Sequence, residues 1–380
     1  MTEKRFLQGF LTALLSLGLI LLGLQMLLTK VGEIDLEHIV SRQLAAPNGE
    51  VLFLSGINQN AFHYKMMLFD RVQPDVVAIG SSRAMEVRGE FFNDRFVTLG
   101  GSVGNLQNLE AVADHLARSV APPKLALVYV DPWLFNARYT DNQAAVPDFP
   151  KFVSADMLWG SLKALRHGNW VRNSFKSPNL GIFALLNDEG FARDGSQYYL
   201  GTQTGKVSPY DLRFATTFGR ISGDHQNFQR NSRADPALVA RICSAVATVR
   251  KRTPHVVIIA PPFATPIWAR LSSPDYAYIE DGYAQLAACT KGTPFFNFAN
   301  PASISGSTDC EFVDGLHGGD VTYARMLSQI GTADPVISHY LRNDFLAVYI
   351  EQYKGRAGGT VLAMHPEIKE IDFLGLGCRK

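Results

Sequence analysis

The apolar run 75–80 ends abruptly in Gly80-Ser81-Ser82-Arg83. Far downstream, Phe-Val-Asp-Gly-Leu-His-Gly-Gly-Asp (312–320) puts Asp314 three residues ahead of His317. A serine hydroxyl is a poor nucleophile until a neighbouring base takes its proton. His317 is a base for that task if Asp314 orients its ring and stabilises the imidazolium. A three-residue step on a tight turn lets both approach one serine from the same side. The bland alternative makes Ser81 or Ser82 a helix N-cap worth about 1 kcal/mol, and makes Asp-Gly an ordinary turn beside a structural histidine. The joint order of these residues at strand ends favours a site, with Ser82 as the hydroxyl presented.

The elements that must position them are legible from period and punctuation. Short apolar runs rich in β-branched or aromatic residues and bounded by turn formers predict strands at 75–80, 96–100, 124–131, 255–262 and 294–299. Helix-like segments occupy 105–119, 236–252, 276–290 and 320–330. Continuous apolar strands alternating with helices indicate a parallel sheet covered on both faces, an α/β layer fold. Ligands in such sheets gather beyond the carboxyl ends of the strands. Gly80-Ser81-Ser82, Gly100-Gly101-Ser102-Val103-Gly104-Asn105 and Asp131-Pro132-Trp133 all lie at such ends.

This order of strand-Gly-x-Ser, glycine-containing turn and late Asp-x-x-His resembles the SGNH/GDSL hydrolase superfamily. The resemblance covers roughly 74–135 and 235–331. It implies a three-layer fold with Ser82 as nucleophile, His317 as base and Asp314 as its orienting acid. The second-block glycine corresponds to Gly101 or Gly104, and the N–H groups of Ser82 and Gly101 are the expected oxyanion donors. The third block departs from the family: where Gly-x-Asn-Asp supplies a donor, this chain reads Val130-Asp131-Pro132-Trp133, leaving Asn105 or Asn136 as substitutes. Arg83 is read either as a tether for an anionic sugar or phosphate group or as a salt-bridge partner of an acid such as Asp131. Exported, anchored proteins of this superfamily, of the alginate O-acetylation and lipoteichoic-acid D-alanylation kinds, work beside a membrane-bound O-acyltransferase. The resemblance therefore implies a cell-envelope acyltransferase or esterase with a polysaccharide or cell-wall glycan as substrate. No cofactor or metal is called for. The alternative is a non-catalytic domain of the same fold that binds polysaccharide during export.

Among 380 residues, 47% are apolar and 19% charged, which excludes a disordered chain. A net charge of +1, with no basic run interleaved with aromatics, excludes nucleic acid as the expected partner. Residues 6–28 carry no charge, enough helix to cross a bilayer. Lys4 and Arg5 before it and the acids Glu33, Asp35 and Glu37 after it predict a cytoplasmic N-terminus, with the rest of the chain in the periplasm or extracytoplasmic space. A cleaved signal peptide is the alternative. The expected organisation is an anchor over 1–30, a connector over 31–73 with a turn at 46–50, a catalytic domain over 74–340 and an extension over 341–380. The irregular segment 137–230 reads as an insertion whose aromatics, Trp159, Trp170, Phe183, Tyr198 and Tyr199, either line a cleft or build a satellite core. Four cysteines lack C-x-x-C spacing, and Cys289 with Cys310 is the pair expected to bridge.

Overall fold

The five apolar runs form strands β1 (Val76–Gly80), β2 (Phe96–Gly100), β3 (Leu125–Tyr129), β4 (His255–Ala260) and β5 (Phe295–Asn297). They come from a computed structural model that describes residues 3–46, 51–58, 61–139, 148–166 and 169–378. The turn expected at 46–50 falls almost wholly outside these, as do two short stretches of the 137–230 segment. All five strands run parallel in the order β2-β1-β3-β4-β5. Gly80 stands opposite Gly100, Ile79 opposite Val128, and Tyr129 opposite Ile259. The carboxyl ends thus finish almost level, and Ser81, Gly101, Asp131 and Pro261 emerge together along one edge. The order reverses between β1 and β3, the switch point where open α/β sheets form their ligand crevice. Every residue of β1, β2 and β3 is buried, which is why these strands read as continuous apolar runs rather than alternating ones.

Contacts divide the chain into two units, Met1–Gln59 with Asp148–Ala192 and Asn60–Pro147 with Arg193–Lys380. In the first, α1 (Glu3–Val31) is long and apolar enough to cross a membrane. Phe6, Leu11, Leu15 and Ile20 along it are exposed, whereas Leu28 and Val31 are buried. Leu28 packs with Ile34 and Met157, and Val31 with Trp170, Ile182 and Leu185. Just beyond the helix, the buried Glu33 carboxylate accepts from the Ser55 hydroxyl and from the N–H groups of Gly56, Ile57 and Ile182. Four donors compensate the desolvation of that charge and pin two distant segments to the end of α1. The connector expected over 31–73 is therefore divided, its first part belonging with α1 and its last part forming α2 (Phe62–Val72) in the sheet unit. The 137–230 segment divides likewise, and Trp170, 1% exposed, is a core residue of the first unit.

The second unit also contains α3 (Leu106–Arg118), α4 (Pro236–Arg250), α5 (Tyr278–Cys289), α6 (Asp320–Ala333), α7 (Asn343–Tyr353) and α8 (Gly359–Met364), among shorter helices. Asn105 caps α3 by accepting from Asn108 N–H, and Asp235 caps α4, where Pro236 occupies the first turn. On one face, Ala78, Leu127, Tyr129 and Ile259 of the sheet share a core with Val321, Ala324 and Leu327 of α6 and Leu346 and Tyr349 of α7. The segment 341–380 is thus part of the main core, not an appendage. Its end is held by a disulfide from Cys378 to Cys310, and a second joins Cys243 to Cys289. The expected Cys289–Cys310 pair does not form. Cys289 ends α5, which packs beside α4, so the α4 thiol of Cys243 is its neighbour.

Candidate active site

Ser82 opens a short 3-10 turn, Ser82–Ala84, directly after β1. Ser81, extended and buried, caps it by accepting from Arg83 N–H, and its side chain also bonds Asp131. The cap role considered for either serine thus belongs to Ser81, which leaves the hydroxyl of the half-buried Ser82 uncommitted to the cap. Room for this tight exit comes from Gly100 on the neighbouring strand. A Cβ there would lie 2.6 Å from the backbone of Ala84 and Met85. Thr98 Oγ1 donates to the Ala84 carbonyl, and Tyr323 Oη of α6 donates to the Arg83 carbonyl.

Asp314 and His317 sit on a turn closed by Val313 N–H donating to His317 O at 2.8 Å. His317 Nε2 lies 2.8 Å from Ser82 Oγ, and His317 Nδ1 lies 2.7 Å from Asp314 Oδ2. Asp314 Oδ1 also accepts from the N–H groups of Leu316 and His317. The aspartate thereby fixes its own turn and the histidine tautomer, so that Nε2 faces the serine. With side chains 18% and 13% exposed, His317 and Asp314 remain reachable without being solvated throughout. Burial alone would raise the Asp314 carboxyl, but the charge and ring hydrogen bond of His317, with two backbone amides, hold it below its ordinary value. Burial likewise pushes the imidazole down. The Asp314 charge and hydrogen bond outweigh it and lift His317 above its ordinary value, with Glu86 adding to the rise and Arg83 opposing it.

Arg83 is wholly buried and every contact of its guanidinium is internal. It donates to Asp131 Oδ1 at 3.0 Å, to Leu316 O at 2.9 Å and to the carbonyls of Pro261 and Pro262. The Phe263 ring lies 3.9 Å beneath it. Of the two readings left open for Arg83, the salt bridge to Asp131 is the one realised; the cation does not point outward as a tether. It brackets the loops that leave β1, β3 and β4 and the turn that carries His317. Burial raises the Asp131 carboxyl, opposed by Arg83 and Ser81. A second clamp comes from a residue with no motif around it. The buried Asp211 accepts from Gly315 N–H at 2.9 Å and from the Thr217 hydroxyl and N–H, while Gly315 O accepts from Ala264 N–H.

The expected oxyanion donors fare unevenly. Gly101 (φ +84°) spends its N–H on the carbonyls of Gly80 and Ser81, so it cannot donate to a substrate. Asn136 is buried, with Nδ2 on Gln229 O and Oδ1 accepting from Arg138 N–H and Asn231 Nδ2. It holds the segment after β3 in place and is not displayed. Asn105 is the α3 cap. What remains is the N–H of Ser82 and that of Gly104. Neither has a hydrogen-bond partner among the described residues, and Gly104 is exposed, directly following Val103, whose N–H is bonded to Gly80 O. Among the described residues no group of three or more His, Cys, Asp or Glu stands together as a metal site.

Compared with known proteins, the chain matches no family model, no curated protein and no solved structure.

Proposed function

We propose that this protein is a membrane-anchored serine acyl-transfer enzyme of the cell envelope, moving an O-acyl group, most simply acetyl, to or from an exported polysaccharide. One observation carries the chemistry: the unbroken chain from Ser82 Oγ through His317 to Asp314, at the switch point of the sheet. Ser82 Oγ attacks the acyl carbonyl carbon as its proton passes to His317 Nε2. The Nδ1–H stays on the ring and donates to Asp314, whose charge stabilises the imidazolium. The N–H groups of Ser82 and Gly104 are the donors suited to the oxyanion. On collapse, the bond to the departing alkoxide breaks and that oxygen takes the proton from Nε2, leaving acyl-Ser82. A glycan hydroxyl or water then repeats the steps in reverse. The polysaccharide, the periplasmic orientation and a neighbouring membrane-bound O-acyltransferase rest on the SGNH/GDSL resemblance and on the flanking charges of α1.

The engagement of Gly101 N–H and Asn136 elsewhere favours one rival, a polysaccharide-binding domain of the same fold without turnover. A fluorophosphonate probe separates them. The enzyme labels at Ser82, and absence of label on the folded full-length protein refutes the catalytic reading.

A further inference from the structure

The first unit presents a set of side chains that its core does not absorb. Phe152 is 76% exposed, Trp159 61%, Leu162 55% and Phe175 70%. Trp159 and Leu162 lie one turn apart on the helix Ala155–Leu165, on the face opposite the buried Met157 and Ser161. Cations accompany the rings: Lys30 Nζ sits 3.4 Å from the centre of Phe175 and Lys163 Nζ 5.5 Å from that of Trp159, with Lys151 and Lys176 exposed beside them.

Their depth is set by α1. Gln25, inside its apolar stretch, donates through Nε2 to Lys151 O at 3.2 Å and accepts at Oε1 from Val153 N–H at 3.0 Å. Asp35 N–H, beyond the helix, donates to Pro150 O. Residues 150–153 therefore run along the last turns of α1, where Leu24, Leu27 and Leu28 also meet Val153, Met157 and Trp170. About twenty residues cross the hydrocarbon core. Counted from Phe6, the first residue after Lys4 and Arg5, the crossing ends at Gln25. Residues 150–153 and the Lys30–Phe175 pair thus stand where α1 leaves hydrocarbon, and Met157, packed with Leu28, ties the helix that bears Trp159 and Leu162 to the same turns. Aromatic rings with adjacent lysines are the composition of the membrane–water interface, and the lysines match anionic headgroups.

We propose that Phe152, Trp159, Leu162 and Phe175, with Lys30, Lys151, Lys163 and Lys176, form a collar that rests in the headgroup layer of the bilayer that α1 enters. The collar rests on the reading of α1 as a membrane span, and it makes the first unit a seat on the membrane surface, not a domain on a loose tether. The occupant is the lipid surface itself, continuous with the exposed apolar flank of α1.

The test uses the full-length protein in vesicles of phosphatidylcholine and phosphatidylglycerol that carry a doxyl quencher either near the headgroup or near the chain end. Carbonate extraction reports separately whether α1 is inserted. The Trp159→Phe variant, an exposed substitution, identifies the Trp159 share of the emission. In protein that resists extraction, the headgroup-proximal quencher should remove the Trp159 emission more than the deep one does, and the W159F variant should lose that difference. Resistant protein whose Trp159 emission neither quencher reduces would overturn the collar while leaving the span intact. Because these vesicles contain only lipid, that result would also point to a protein as the true cover. Complete extraction by carbonate would overturn the span, and the collar with it.

Discussion

At the residue scale the site divides labour between two adjacent serines. Ser82→Ala should reduce hydrolysis of an aryl acetate to background while circular dichroism and melting stay near wild type, because one half-exposed hydroxyl is lost. His317→Ala should cost about as much, since nucleophile and base act as a unit and their losses do not add. Ser81→Ala removes a cap and a bond to Asp131, so it should lower stability by about 1 kcal/mol and activity only modestly. The reverse ranking of the serines would move the nucleophile by one residue. The pH profile tests the base. Only neutral His317 accepts the proton, and Asp314 holds its pKa above the ordinary value. Therefore kcat/KM should rise with pH through a midpoint above that of a free imidazole, about 6.5. Asp314→Asn should move this limb to lower pH and drop the plateau by about 10⁴-fold. A limb that stays in place would show that Asp314 does not govern the base.

At the scale of elements, the end of β1 and the turn before α6 bring Ser82, Asp314 and His317 together, and buried polar brackets fix them. Arg83 bonds to the loops after β3 and β4 and to the turn of His317. Arg83→Ala would leave Asp131 buried and unpaired, so denaturant unfolding should show a loss of about 3–5 kcal/mol. Asp211 ties the turn of His317 to Thr217. Asp211→Ala removes the acceptor of Gly315 N–H and of Thr217, and misplacement of His317 by about 1 Å is expected to cost about 10²-fold in kcat. A stopped-flow acylation rate reads this directly. An unchanged rate would mean that Ala264 and Arg83 hold the turn unaided.

At the scale of the whole molecule, the two units differ in what secures them. The first is organised around the end of α1 and the buried Glu33. The second is organised around the sheet, with the chain's end folded back and bonded through Cys378 to Cys310, 68 residues away in sequence. Closing a loop of that length contributes up to about 4 kcal/mol by restricting the unfolded chain. Replacing both cysteines with serine should therefore lower the melting temperature of the sheet unit by several degrees. The Cys243–Cys289 pair, with a shorter separation of 46 residues, should give a slightly smaller drop under the same treatment. A larger loss from the α4–α5 bridge would show that native-state packing, and not loop length, sets the scale.

The strands, their flanking helices and the apolar α1 were legible in the chain because each is a local pattern: a buried parallel strand needs an unbroken apolar run, and a span needs uncharged length. Ser82, Asp314 and His317 stood out in the chain by residue type and order, and the structure brings the three within hydrogen-bond distance. What the local pattern does not encode is which groups satisfy one another. Gly101 N–H and Asn136 suit an oxyanion hole by type, yet folding brings each against closer acceptors, and a bonded donor is not available to a substrate. Asp211 carries no motif because it acts by accepting hydrogen bonds, from nearby Thr217 and from a turn about a hundred residues away. Cys289 could be paired in sequence with either neighbour, and only the packing of α5 on α4 brought it to Cys243. Backbone period is a property of adjacent residues, whereas the partner of a buried polar group is chosen by the tertiary structure that desolvates it.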